Sequence, residues 1–191
     1  MSRKLFRHCA VCERERELPK AGYTTHATMA NGMPQALGAQ RAFPGRQVIS
    51  LSGDGGLTML MGDLLTAIQE KIPIKIAVFN NGSLGFVEME MKVEGLLNAY
   101  TDLVNPDFAR VAEAIGFHAR RVERDEDLEG AVKDWLAQPG PALLDVLVSR
   151  LELVTPSHIE PGQVFGTALY SAKALLGGRA GDVWDLALDN L

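Results

Sequence analysis

Two short polar clusters carry the residue types that could bind an anion together with a metal ion. The first, Ser52-Gly53-Asp54-Gly55-Gly56, places one carboxylate among glycines, and the second, Asn80-Asn81-Gly82, supplies amide oxygens. Glycines let backbone amides approach an anion closely, but a carboxylate beside an anion is repelled unless a cation lies between them. Mg²⁺ commonly combines a carboxylate, carbonyl oxygens, phosphate oxygens and water. The residues therefore favour a magnesium and phosphate site built on Asp54 and Asn81.

Each cluster follows a run of residues that is typical of a strand. Residues 47–52 are β-branched in part, residues 74–79 are mainly apolar, and each run stops at one of the polar clusters. In an open parallel sheet, ligands bind at the carboxyl ends of the strands, so both clusters are expected at that edge. After the first cluster, apolar residues recur at helical spacing and predict one amphipathic helix that begins near the first of them: Leu57, Leu60, Met61, Leu64, Leu65 and Ile68.

The following segment alternates helical and strand patterns. Asn105-Pro106-Asp107 is typical of a helix start, with Asn105 as N-cap and Pro106 at the first helical position, and Gly116 stands where that helix would end. Residues 142–148 are almost continuously apolar, as in a strand buried on both faces. The predicted fold class is α/β, a doubly wound, mostly parallel sheet with helices on both faces. A further helix is marked by Leu128, Val132 and Trp135.

The two ends of the chain differ from this alternating pattern. Residues 1–26 carry clustered basic side chains without apolar periodicity, and we predict a poorly ordered leader there. Strand signals cease after residue 155, so residues 151–191 are predicted to form a C-terminal helical extension. A helix in this extension is expected to be interrupted by Gly177-Gly178 and to have one apolar face, formed by Phe165, Leu169, Ala172 and Leu176.

Composition and charge exclude several classes of partner. The 191 residues, of which 47% are hydrophobic, can bury one sizeable core. A formal net charge of −5 gives no positive field for nucleic acid, so none is expected as a partner. The sequence has no apolar stretch of transmembrane or signal-peptide length, and we predict a cytoplasmic protein. Cys9 and Cys12 cannot form a disulfide framework, and as a CxxC pair they are only half of a zinc ligand set.

The spacing of the two clusters resembles the signature of thiamine diphosphate-dependent enzymes. In that signature GDG is followed by 24 to 27 residues and then NN, and here 24 residues separate Gly55 from Asn80. A glycine turn alone is equally well explained by backbone packing, whereas the paired asparagines at this distance favour a ligand site. The resemblance implies that residues 27–150 form the diphosphate-binding domain. It also implies that Mg²⁺ is held by the side chains of Asp54 and Asn81 and by the backbone carbonyl of Ser83.

The same resemblance assigns residues to the coenzyme. Gly53 and Asp54 belong to the diphosphate-binding turn, and the amides of Gly55 and Gly56 would hold the diphosphate. Residues 29–40 resemble the loop and helix that receive the aminopyrimidine ring. In this segment Met29 would wedge between the two rings of the coenzyme, unless it is an ordinary core residue. The carbonyl of Ala27 would accept a hydrogen bond from the 4′-amino group.

Residues 82–91 are more similar to bacterial pyruvate oxidases than to acetolactate synthases or simple 2-oxoacid decarboxylases. In that group the position of Phe86 lies between the thiamine and a flavin, and the position of Glu90 borders the substrate. The alternatives are a packing residue for Phe86 and a solvated helix face for Glu90. The resemblance therefore implies thiamine diphosphate and Mg²⁺, with FAD in the complete enzyme. The implied reaction is oxidative decarboxylation of pyruvate, with quinone or oxygen as electron acceptor.

The implied enzyme needs parts that 191 residues cannot contain. We expect a pyrimidine-binding domain, from the same enzyme or from a neighbouring subunit of a homo-oligomer, and no activity of the chain alone. Quinone-linked relatives engage lipid through their C-terminus. In residues 151–191 the charged side chains are mainly acidic, so peripheral contact with the inner face of the membrane is only weakly favoured. Two alternatives stay open. One is part of an acetolactate synthase or 2-oxoacid decarboxylase-type enzyme, and the other is a noncatalytic binding or assembly domain.

Overall fold

The computed structural model describes residues 28–150, 161–181 and 183–184. The chain divides into two compact units. The sheet unit comprises the described residues within 1–80 and 105–148, and the helical unit comprises those within 81–104 and 149–191. The predicted leader at residues 1–26 and Ala27 lie outside the described residues, and the predicted domain boundary at residue 150 remains a prediction.

Four parallel strands form the sheet unit, in the order β1-β2-β4-β3. The strands are β1 Ile49–Gly53, β2 Lys75–Asn80, β3 His118–Val122 and β4 Ala142–Leu147. The central pair, β2 and β4, is buried along almost its whole length. Neither face of these two strands is exposed to solvent, which explains why their sequences are largely apolar. The predicted parallel α/β fold is confirmed.

Helices pack on both faces of this sheet. The helices of the sheet unit are α1 Gly32–Ala42, α2 Asp54–Met59, α3 Leu64–Gln69, α5 Phe108–Ile115 and α6 Asp125–Ala137, and those of the helical unit are α4 Gly85–Val93 and α7 Pro161–Leu176. One hydrophobic cluster joins α1, α3 and α5 to the sheet, and Ile76 and Val78 of β2 lie within it. A second cluster joins α6 to the opposite face, where the indole nitrogen of Trp135 donates to the backbone oxygen of Ala142 at 3.0 Å. The helices predicted around residues 108–115 and 128–135 are confirmed.

The prediction of one continuous helix from Leu57 is wrong. Helix α2 begins at Asp54, the chain leaves helical backbone at Leu60 (φ −128°), and a 3₁₀ turn at Met61–Asp63 leads into α3. Each short helix directs its own residues to the core, so Leu57 and Leu64 are buried whereas Leu60 and Leu65 are exposed. Gly62, within the 3₁₀ turn, has a low helix propensity and is consistent with the break.

The predicted start of the next helix is also wrong. Helix α5 begins at Phe108, and its N-cap is Asp107, whose side chain accepts from the backbone amide of Arg110 at 3.0 Å. Aspartate is as good a cap as asparagine, so the nearer residue caps the helix. The predicted end is confirmed, because Gly116 has the left-handed backbone (φ 112°) of a C-terminal cap.

The helical unit is built on α4 and α7. Where the burial of α7 residues is described, Gly166, Tyr170 and Ala174 are buried, and they are four residues apart. A side chain at Gly166 would overlap the carbonyl group of Val93, so glycine allows the two helices to approach closely. The predicted apolar face does lie on α7, but it is not the buried face, because three of its residues are among the exposed large side chains: Phe165, Leu169 and Leu176. The predicted interruption at Gly177-Gly178 is confirmed. Among the described residues, no helix is long and apolar enough to cross a membrane.

Candidate functional site

Asp54 lies at the carboxyl end of β1. Parallel pairing sets Gly53 opposite Phe79, so Asp54 and Asn80 leave neighbouring strands at the same edge of the sheet. The Asp54 residue is only 3% exposed. Its Oδ1 atom accepts the backbone amide of Gly55 at 2.8 Å, and its Oδ2 atom accepts Nδ2 of Asn105 at 2.7 Å. The carboxylate is thus fixed at the edge where the sequence predicts a ligand site.

A single side-chain amide connects two of the strand ends. Nδ2 of Asn105 donates to Asp54 and also to Oδ1 of Asn80, at 2.9 Å. Asn80 in turn donates through its own Nδ2 to Oδ1 of Asp145 on β4, at 3.1 Å. Sequence reasoning missed this role of Asn105, because the motif it belongs to was already explained as a helix start. The chain of side chains links the ends of β1 and β2 to the middle of β4.

Asp145 is the fully buried member of this chain. Burial raises the pKa of its carboxyl group, while the hydrogen bond from Asn80 and the charge of Arg121 oppose that effect. NH1 of Arg121 lies 3.1 Å from Oδ2, and the Arg121 side chain is partly exposed. A partly solvated cation compensates a buried charge less well than a buried one does. A neutral amide, from Asn80, and a partly exposed arginine, Arg121, therefore both hold the Asp145 carboxylate.

Within the sheet unit, the glycine turn at residues 53–56 lies close to a second turn at residues 29–30. Gly53 is the N-cap of α2, and the space beside its Cα is open. At Gly56, a side chain would lie 3.5 Å from the backbone nitrogen of Ala30. Ala30 has a left-handed backbone (φ 68°), which is uncommon for a residue other than glycine. Met29 is 43% exposed, which argues against an ordinary core residue.

In the helical unit, Asn81 begins a tight turn. Its Oδ1 atom accepts the backbone amide of Ser83 at 3.0 Å, and a side chain at Gly85 would lie 3.0 Å from its Nδ2 atom. The absence of a side chain at position 85 thus makes room for the Asn81 amide. An amide oxygen has two lone pairs, so the contact with Ser83 leaves Oδ1 able to serve as a metal ligand as well.

Ser83 is anchored to a buried ion cluster. Its hydroxyl donates to Oε2 of Glu88 at 2.8 Å, while Lys92 donates to Oε1 at 2.8 Å and Arg150 donates to Oε2 at 3.1 Å. Lys92 also lies over the ring of Tyr170, 5.6 Å from its centre. Burial alone would raise the pKa of Glu88, but the hydrogen bonds from Lys92 and Ser83 and the neighbouring positive charges hold it below its ordinary value.

Phe86 and Glu90 lie on the exposed surface of α4. They are four residues apart and therefore share one face of the helix, and Phe86 is 72% exposed. This exposure disfavours a buried packing role for Phe86, but it assigns no ligand to either residue. The roles of Phe86 and Glu90 beside a substrate or flavin remain predictions.

The chemistry of the predicted metal ligands fits Mg²⁺. Asp54 would supply a carboxylate oxygen, Asn81 an amide oxygen and Ser83 a backbone carbonyl oxygen, and magnesium prefers such hard oxygen ligands. The part of the chain that the structure describes contains no group of three or more His, Cys, Asp or Glu side chains suited to a metal. The predicted site does not need one, because only Asp54 of its three ligands is of those types.

A family model described as the thiamine pyrophosphate enzyme C-terminal TPP binding domain matches residues 3–146. The matched segment contains both polar clusters and all four strands of the sheet except Leu147, the last residue of β4. The chain belongs to this family. The predicted thiamine diphosphate-binding domain is therefore confirmed, thiamine diphosphate being the same coenzyme as thiamine pyrophosphate (TPP).

Acetolactate synthase is named repeatedly among the proteins similar to this chain. A Bacillus subtilis protein, YdaP, described as thiamine pyrophosphate-containing, is 38% identical over 147 residues, which are 77% of this chain and 25% of YdaP. The catalytic subunit of mitochondrial acetolactate synthase from Saccharomyces cerevisiae is 36% identical over 130 residues, 68% of this chain and 19% of the yeast protein.

The large subunit of acetolactate synthase isozyme 2 from Escherichia coli is 36% identical over 137 residues, 71% of this chain and 25% of that subunit. This TPP-binding domain thus spans a quarter or less of the length of these relatives. The named activities support the acetolactate synthase-type alternative better than the predicted pyruvate oxidase.

Proposed function

We propose that this TPP-binding domain anchors thiamine diphosphate and Mg²⁺ in an enzyme of the acetolactate synthase type, which acts on a 2-oxoacid. The observation that carries the proposal is the fixed Asp54 carboxylate at the end of β1, beside the glycine turn and next to the end of β2. Family membership supports the coenzyme, and the acetolactate synthases among the similar proteins support the substrate class.

The residues of this chain would position the coenzyme. Asp54, Asn81 and the carbonyl of Ser83 would hold Mg²⁺, and the amides of Gly55 and Gly56 would bind the diphosphate. When bound, the coenzyme supplies the carbanion that attacks a 2-oxoacid and allows loss of CO₂. A neighbouring pyrimidine-binding domain would complete the site, in the same enzyme or in another subunit.

Calorimetric titration of the chain with thiamine diphosphate and Mg²⁺ tests the anchoring role. We expect the wild-type chain to bind, and Asp54→Ala to weaken binding by at least about 100-fold, because contacts outside the metal ligands already contribute about 10- to 100-fold. Asp63→Ala removes an equal charge from the 3₁₀ turn and serves as the control, with unchanged affinity. Equal affinity of the Asp54 variant and the wild type would contradict the proposal.

Pyruvate oxidation is a second candidate, favoured by the similarity of residues 82–91 to pyruvate oxidases. The two candidates share the loss of CO₂ from pyruvate and differ in the next step, which is either transfer to a second 2-oxoacid or oxidation by a flavin. The discriminating experiment supplies pyruvate to the complete enzyme, with and without an artificial electron acceptor. Acetolactate formed without an acceptor supports the first candidate, and acetate formed only with one supports the second.

A further inference from the structure

The Asn105 side chain does not cap helix α5. Asp107 already caps α5, and the Asn105 side chain points instead to the sheet edge. The residue precedes Pro106, which favours extended backbone at position 105. Local structure therefore explains the backbone at this position but not the use of the side-chain amide.

The two hydrogen bonds require both protons of one amide group. Nδ2 of Asn105 lies 2.7 Å from Oδ2 of Asp54 and 2.9 Å from Oδ1 of Asn80. A carboxylate at position 105 would have no proton for either acceptor and would repel Asp54, while a hydroxyl has a single proton. Asparagine satisfies both acceptors without adding charge beside a carboxylate that is proposed to bind a cation.

We propose that Asn105 is a positioning residue that orients the Asp54 carboxylate for Mg²⁺. The inference rests on the proposed function and adds a residue to it. Asn105 fixes one carboxylate oxygen of Asp54 while the amide of Gly55 fixes the other, so the orientation of the carboxylate is set by protein donors. Asn80 ties this arrangement to Asp145 and so to β4.

The experiment titrates the full chain with Mn²⁺ in the presence of thiamine diphosphate and follows bound Mn²⁺ by electron paramagnetic resonance. Asn105→Leu keeps the branched shape of the side chain and removes both donors, and Asn105→Ser keeps one shorter donor. Asn98→Leu is the matched control, since Oδ1 of Asn98 accepts from Arg179 at 2.7 Å in the helical unit. Thermal unfolding of each variant without ligand measures any purely structural effect separately.

We expect the Mn²⁺ dissociation constant to rise about 10- to 100-fold for both Asn105 variants, and to be unchanged for Asn98→Leu. Wild-type affinity in a folded Asn105 variant would overturn the inference, whatever happens to its melting temperature. If the leucine variant does not fold, the serine variant decides the outcome in the same way. If the wild-type chain binds no Mn²⁺ with thiamine diphosphate, the proposed function falls and this inference falls with it.

Discussion

Two buried carboxylates, one in each unit, are held by different kinds of donor. Glu88 in the helical unit accepts from two cationic side chains, Lys92 and Arg150. Asp145 in the sheet unit accepts from the neutral amide of Asn80 and from a partly exposed arginine. The pKa of Glu88 is lowered as a result, despite its burial, whereas burial keeps the pKa of Asp145 raised.

The difference lies in how the negative charge is compensated in each unit. Around Glu88 the negative charge is matched by buried or partly buried positive groups, so the cluster stabilises the fold of the helical unit. At the sheet edge, Asp54 and Asp145 are linked through the neutral amides of Asn105 and Asn80.

The largest effect is expected when the ion cluster is broken. Glu88→Gln removes the charge that compensates Lys92, a side chain that is only 4% exposed. Leaving a buried charge without its partner costs about 3–5 kcal/mol, so we expect the free energy of unfolding in urea to fall by about that amount. Glu94→Gln, at an exposed position after α4, is the control. Equal stability of the two variants would show that the cluster contributes nothing.

The two carboxylates are expected to respond to pH in opposite directions. Because folding lowers the pKa of Glu88, its stabilising contribution is present above its ordinary pKa and is lost as the pH falls through the folded value. Because folding raises the pKa of Asp145, that residue costs stability as the pH rises from its ordinary pKa through the folded value.

Unfolding free energies of Glu88→Gln and Asp145→Asn, measured from about pH 2 to neutral pH, check these signs. The advantage of the wild type over Glu88→Gln should grow with pH, and its advantage over Asp145→Asn should shrink. If both differences in unfolding free energy changed with pH in the same direction, the predicted contrast between Glu88 and Asp145 would be wrong.

A smaller effect is expected from Asp107, whose charge contributes to the raised pKa of Asp145. Asp107→Asn keeps a good helix cap and removes that repulsion, so the pKa of Asp145 should move part of the way towards its ordinary value. Nuclear magnetic resonance titration of the Asp145 carboxyl carbon measures the shift, with Asp63→Asn as the charge-matched control. An unchanged pKa in both variants would assign the raised value to other causes.

Buried strands were predictable from the sequence, and the edge strand β3 was not. Residues 74–79 and 142–148 are apolar except for Lys75 and Asp145, because β2 and β4 are covered on both faces. Strand β3, His118–Val122, contains adjacent arginines and alternates exposed with half-buried positions before Val122, so its composition did not indicate a strand. Apolar spacing predicted the helix α7 and its shared apolar face, but not that close packing at Gly166 buries a different face.

The sequence predicted the site residues that belong to its motifs, but not those that depend on tertiary contacts. The position of Asp54 at a strand end, beside glycines, follows from the sequence and is found in the structure. The bridge from Asn105 depends on a tertiary contact across 51 residues of sequence. Its local motif already had a complete explanation as a helix cap, so no pattern in the sequence pointed to the longer-range role.

The most direct test of the account is a crystal structure of the chain with thiamine diphosphate and Mn²⁺, with the ion located by anomalous scattering. We predict an ion about 2.2 Å from a carboxylate oxygen of Asp54 and from Oδ1 of Asn81, close to the distances at which oxygen ligands bind such ions. Coenzyme bound through an ion that touches neither side chain would contradict the account.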